Sequence, residues 1–205
     1  MAKPSLSTEE RARLYNIEFG QRYKGSVLHW VDNGKCISGV WMLGNNYRGS
    51  GFYGAYPPQY LKRLAALFPD AKDVMHLFSG SLPKGDYVRV DCQGEKAEYI
   101  IDAHKLSLHF HKETFGLIYA DPPYTKEDAK RYGLPMPNRK KVLEQCSAVL
   151  KPGGFVVWLD TVWPMIAKKH LVLVGAIGIM RSQNHRGRFC FIMKKLPRDI
   201  QFSDL

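Results

Sequence analysis

The residue run with the most chemical character is Asp121-Pro122-Pro123-Tyr124, which follows the apolar stretch Phe115-Gly116-Leu117-Ile118-Tyr119-Ala120. Two successive prolines fix φ and remove two N–H donors, so the turn is stiff and presents bare carbonyl oxygens. The Asp121 carboxylate and the Pro122 carbonyl can then both accept from one planar amino group. Tyr124 offers a ring face on which a base can stack. An amine conjugated to an aromatic ring is a weak nucleophile, because its lone pair is delocalised. Two acceptors that draw it toward tetrahedral geometry favour attack on an electrophilic carbon.

Three further segments end in polar residues that suit a ligand. The apolar run 74–78 leads into Ser79-Gly80-Ser81, residues 87–91 close on Asp91, and residues 98–102 close on Asp102. A small, Gly-containing turn lets a ligand approach the backbone closely. An acid at the second position can accept from both hydroxyls of a ribose, and one at the third from an adenine amine. In an open α/β sheet, ligands bind outside the carboxyl ends of the strands. Four such ends in succession describe a pocket for an adenosine-bearing cofactor.

These residues need a scaffold, and the chain supplies its pattern. Ser7 and Glu10 make a capping box for a short helix reaching about Tyr15. A β-hairpin is expected around Asp32-Asn33-Gly34. Pro57-Pro58 opens a second helix, with Tyr60, Leu61, Leu64, Leu67 and Phe68 on one face and Pro69 as its stop. Asn138 caps a helix whose apolar stripe is Val142, Leu143, Cys146, Val149 and Leu150, ended by Lys151-Pro152-Gly153-Gly154. Strands at 155–159, 171–180 and 189–194 complete a seven-strand-type set. Continuous rather than alternating apolar strands imply burial on both faces, hence a largely parallel α/β sheet. The division expected is an N-terminal extension, residues 1–70 (helix, hairpin, helix), packed on a core of residues 71–205.

Composition narrows the setting. The 205 residues carry 30 Lys+Arg against 19 Asp+Glu, a net charge of +11 that calls for a polyanionic partner, nucleic acid first. Cys36, Cys92, Cys146 and Cys190 form no Cys-x-x-Cys pair, so neither a zinc site nor a disulfide framework is indicated. The N-terminus lacks the apolar core of a signal peptide, and the longest apolar run is about half a membrane span. A reduced, cytoplasmic protein with no membrane partner, monomeric or homodimeric, of a bacterial, archaeal or phage type is expected.

Phe78-x-Gly80, the two acids, Asp121-Pro122-Pro123-Tyr124 and a helix ending in Leu150-Lys151-Pro152-Gly153-Gly154 occur in that order over residues 74–196. In this the chain resembles class I S-adenosylmethionine-dependent methyltransferases of the amino-methylating group. The resemblance implies a Rossmann-like sheet, mostly parallel with a terminal antiparallel strand, here with an aromatic, β-rich N-terminal extension. It implies S-adenosylmethionine as cofactor, held by Phe78, Ser79, Gly80 and Ser81 at its methionine end, by Asp91 at the ribose, and by Asp102 and Ala103 at the adenine. It implies catalysis by Asp121, Pro122, Pro123 and Tyr124, with adenine N6 in DNA as acceptor. An RNA base amine, a small molecule, or a catalytically silent nucleic-acid-binding role are the rival readings. His76 and Leu82 stand where the family usually has an acid and a second glycine. Only twelve residues separate Phe78 from Asp91, too few for the usual helix. Tyr47, Arg48, Arg139, Asn184, His185, Arg186 and Arg188 are the candidates for contacting nucleic acid, whose target base must leave the stack to be reached.

Overall fold

A computed structural model of the chain describes residues 6–20, 26–31, 33–43, 56–94, 96–181 and 187–197. Helix α1, Thr8–Tyr15, starts on the capping box: Ser7 Oγ accepts from Glu10 N–H, and Glu10 accepts from Ser7 N–H at 2.8 Å. A π-helical turn, Asn16–Gly20, follows. The Asn16 side chain bonds both backbone groups of Leu28, at 2.7 and 2.8 Å, and so docks this unit on the first strand. Strands β1 (Leu28–Val31) and β2 (Cys36–Leu43) form the antiparallel hairpin. Its turn holds Asn33 and Gly34 at positive φ, which those two residue types tolerate. Helix α2 spans Tyr60–Leu67, beginning two residues after Pro57-Pro58, with Gln59 in the left-handed region at its N-cap.

The remaining strands are β3 (Val74–Leu77), β4 (Val88–Asp91), β5 (Tyr99–Ile100), β6 (Phe115–Ala120), β7 (Leu150–Asp160), β8 (Val172–Arg181) and β9 (Arg188–Lys194). They join the hairpin in one nine-stranded sheet, in the order β1-β2-β8-β9-β7-β6-β3-β4-β5. Pairings β2·β8, β3·β4, β3·β6, β4·β5 and β6·β7 are parallel, and β9 runs antiparallel to both β7 and β8. The expected architecture is therefore present, enlarged by two strands: β2 pairs with β8 from Ile37↔Gly175 to Leu43↔Arg181. Strand β7 begins at Leu150, five residues before the expected start. Gly153 and Gly154 exchange backbone bonds with Lys195, so the predicted helix stop is itself extended chain. Lys195 Nζ also donates to the carbonyls of Ser147 and Leu150, closing the end of helix α4 (Arg139–Val149). Between β6 and α4 lies a short helix α3, Lys126–Arg131.

Strands β1 and β5 and one face of β2 carry exposed apolar side chains, while the central strands are buried on both faces. Helices α1 and α2 cover one, where Tyr15, Trp41, Leu64, Ile177 and Ile192 interlock. Helix α4 covers the other with Val142, Leu143, Cys146 and Val149, all fully buried, against Trp158, Phe191 and Met75. At roughly 1.5–3 kcal/mol per buried large aliphatic side chain, these two layers hold the strand ends in place. None of the four cysteines is in a disulfide. Among the described residues no helix is long and apolar enough to cross a membrane.

Candidate active site at the carboxyl edge of the sheet

Seven strands point the same way, so their carboxyl ends share one edge; antiparallel β9 starts there. Leu77, Asp91, Ile100, Ala120, Asp160, Arg181 and Leu43 close their strands at this edge, and Arg188 opens β9 beside them. Residues distant in sequence thus converge because of pairing alone.

The loop after β3 turns sharply, with Phe78 and Gly80 both in the left-handed region at φ 58° and 50°. Ser79 N–H bonds the Val90 carbonyl, and Gly80 N–H donates to the Asp91 carboxylate at 2.9 Å. Phe78, Ser79, Gly80, Ser81 and Asp91 therefore form one unit across β3 and β4. The short connection to β4 replaces a helix with staples: Tyr87 Oη donates to Pro83 O at 2.6 Å, and Arg89 donates to Leu82 O at 2.8 Å. Arg89 also forks onto Glu98, whose pKa that pairing pulls down to about 2. His76, in the place of the expected acid, is buried among the rings of Tyr87, Tyr119 and Tyr56, with Nδ1 3.2 Å from Tyr56 Oη. Burial lowers its pKa to about 4, so the ring is neutral.

Asp102 caps a 3-10 turn, Ala103–Leu108, and accepts from both N–H and Nδ1 of His104, at 2.9 and 2.7 Å. The backbone N–H of His104 is the main reason its carboxyl lies below the usual range. His104 Nε2 in turn accepts from Asn138 N–H, which leaves the ring proton on Nδ1 and ties the turn to the start of α4. Ala103 is buried beside it. One buried polar atom beside these residues is open to a ligand. Ser79 Oγ is buried and, among the described residues, has no hydrogen-bond partner. It lines a cavity of about 320 Å³ with Ser81, Tyr56, Gln59 and Lys62 in its wall.

The Asp-Pro-Pro-Tyr turn stands at the centre of the edge. Asp121 N–H reaches back to the Leu77 carbonyl at 3.4 Å. Tyr124 Oη donates to Asp121 Oδ1 at 2.5 Å, and the Arg188 guanidinium lies 4.7 Å from the Tyr124 ring centroid. The ring expected to offer a stacking face thus has its hydroxyl on the acid and a cation over its plane. Burial raises the Asp121 pKa to about 7; the Tyr124 hydroxyl and Arg188 oppose that rise, and Asp160 adds to it. Arg139 turns inward. Its Nε and Nη2 hold Asp160 at 2.7 and 3.1 Å, and Nη2 also donates to the Tyr124 carbonyl at 2.9 Å. Tyr47, Arg48, Asn184, His185 and Arg186 lie outside the described residues; the strands that flank them end at this edge.

Sequence reasoning missed Asp160, and the bonding roles of His104 and Tyr56. Asp160 carried a readable signal, since it ends an apolar strand as Asp91 and Asp121 do. Tyr56 carried none, because its partner His76 comes from tertiary pairing, and His104, though local to Asp102, gains its second partner, Asn138, only through the fold.

No family model and no curated protein matches the sequence. Solved structures do match, and they place the fold among the Rossmann-like α/β sheets of methyltransferases. TrmN from Thermus thermophilus superposes with a TM-score of 0.50 at 16% identity, over 69% of this chain and 49% of that one. The chain therefore spans about half the length of that protein. Geranyl diphosphate methyltransferase in complex with S-adenosylmethionine (TM-score 0.39, 12% identity, 76% and 96% covered) and the [4+2]-cyclase SpnF (0.44, 10%, 94% and 97%) also match.

Proposed function

We propose that the protein is an S-adenosylmethionine-dependent methyltransferase acting on an exocyclic base amine, adenine N6 in DNA. The observation that carries the reading is Asp121: a half-buried carboxylate, followed by two prolines, at the edge shared by the 78–81 loop, Asp91 and Asp102. Phe78, Ser79, Gly80 and Ser81 would hold the cofactor's methionine end, Asp91 its ribose, and Asp102 with Ala103 its adenine. The bound cofactor supplies an electrophilic methyl group on sulfur. The chain's own part is to prepare the amine. The Asp121 carboxylate and Pro122 carbonyl accept its two N–H bonds, Pro123 stiffens the turn, and the nitrogen lone pair is localised for attack. With the methyl group supplied by the cofactor, Asp121 would take up the proton that the amine sheds as its nitrogen is methylated. Tyr124 must release Asp121 Oδ1 for this, and Arg188 must leave the ring plane before a base can stack on it. The net charge of +11 supports a nucleic acid as the carrier of that base.

Incubation with methyl-labelled cofactor and either duplex DNA or RNA, followed by nucleoside analysis, tests the reading. Label on adenine N6 of DNA is expected, and Asp121→Ala should remove it while the protein still unfolds cooperatively. Label on RNA alone would reassign the acceptor, and unchanged transfer by the variant would remove Asp121 from the mechanism.

A further inference from the structure

We propose that Arg139 and Asp160 form a positioning pair that sets the Asp121-Pro122-Pro123-Tyr124 turn, with Asp160 as anchor and Arg139 as strut. The inference rests on the amine-methylating reading above. Asp160, the last residue of β7, is wholly buried, and its carboxylate is saturated with donors. Besides the two bonds from Arg139, it accepts from Trp158 Nε1 at 3.0 Å, Thr161 N–H at 2.7 Å and Val162 N–H at 3.3 Å. A carboxylate held this way cannot drift, and neither can the guanidinium it grips.

The placement of Arg139 has an electrostatic cost that only this pairing answers. It is the first residue of α4, followed by Lys140 and Lys141, with no acid in the first turn. Cations at that end oppose the helix macrodipole. Helix α4 is fixed there by Asn138, whose side chain caps Lys141 N–H and whose own N–H reaches His104. The guanidinium plane thus spans a fixed gap between the end of β7 and the Tyr124 carbonyl. From Tyr124 the chain of bonds continues through its hydroxyl to Asp121 Oδ1. A lysine cannot reproduce this, since it lacks the planar fork that serves Asp160 and the carbonyl together.

The pair also has an electrostatic reach. Asp121 is faced by Tyr124 from its own turn, Arg188 from β9, Asp160 from β7, and Tyr56 and Tyr60 from the α2 side. Arg139 offsets the Asp160 charge. Its loss would leave that charge to act on Asp121, and its replacement by lysine would not.

The test compares Arg139→Gln, Arg139→Lys and Asp160→Asn with the wild type. Its measurements are unfolding curves, the pH midpoint of Asp121 by carbon NMR of labelled carboxyls, and methyl-transfer kinetics. Arg139→Gln should raise the Asp121 midpoint and cut kcat by about tenfold to a hundredfold, with KM for nucleic acid within about twofold. Arg139→Lys should keep the midpoint near wild type yet lose kcat to a similar extent. Asp160→Asn should lower the midpoint. A raised KM at unchanged kcat in Arg139→Gln would make Arg139 a phosphate contact and overturn the proposal, as would wild-type midpoints in all three variants. If the wild type methylates nothing, the functional reading fails, while the NMR midpoints still decide the pair. If Arg139→Gln does not fold, Arg139→Lys carries the decision.

Discussion

At the Asp121 carboxylate, burial and chemistry pull against each other. An ordinary aspartate is ionised well below neutrality, whereas here burial moves the pKa to about 7. Only the ionised form can take up the proton that the amine sheds, so methyl transfer should rise as pH passes through about 7 and level off above it. Single-turnover rates between pH 5.5 and 9 would show this, and a flat profile would place the required base elsewhere. The same shift bears on stability. A group whose folded pKa is raised gives stability that is complete below its unfolded pKa and is lost as pH rises through the folded value. Asp121→Asn should therefore raise the melting temperature at pH 8, by at most roughly 4 kcal/mol of stability, with the gain vanishing near pH 4. Function at this residue is held at the expense of the fold.

Among the elements, the loop after β3 and the hairpin do the most to build the site. The loop needs a left-handed residue at position 80 to bring its N–H onto Asp91. Gly80→Ala should cost about 1–2 kcal/mol in unfolding free energy and weaken binding of the cofactor or its demethylated product, measurable by calorimetry. This much is legible in the sequence, since Ser79-Gly80-Ser81 after an apolar run marks a close backbone approach. The left-handed Phe78 is not legible, because nothing in a phenylalanine foretells positive φ. Nor is the hairpin's partner. Asn33-Gly34 predicts the turn, but the pairing of β2 with β8 joins segments more than 130 residues apart and depends on which strand edge is left open. Residues 1–70 also cover Ile177, Ile179 and Ile192 with α1 and α2. A fragment of residues 71–205 should therefore be insoluble or unfolded by circular dichroism; a cooperatively melting fragment would show that the core stands alone.

On the scale of the whole molecule, the +11 charge and the shared strand edge belong together. The connection between β8 and β9 leaves the sheet at Arg181 and returns at Arg188, beside Asp121. Binding of duplex DNA should fall steeply with salt, with a slope of about 0.9 for each phosphate neutralised. Arg188→Gln should reduce that slope by about one; an unchanged slope would confine Arg188 to its place over Tyr124.

The sequence by itself determined the order of the strand-end residues, the parallel α/β class and the stiffness of the Asp-Pro-Pro-Tyr turn. Those follow from local chemistry: apolar periodicity, proline geometry and glycine at tight turns. Tertiary structure decided which of these groups are already occupied. Arg139, one of three consecutive basic residues in the sequence, is spent on Asp160. Tyr124 is closed onto Asp121, and Asp102 onto His104. Hydrogen bonds and ion pairs across a sheet edge depend on distance in space. The Arg139–Asp160 distance is set by how α4 packs beside β7, while the Tyr124–Asp121 and Asp102–His104 contacts are closed by local turns that the sheet holds in place.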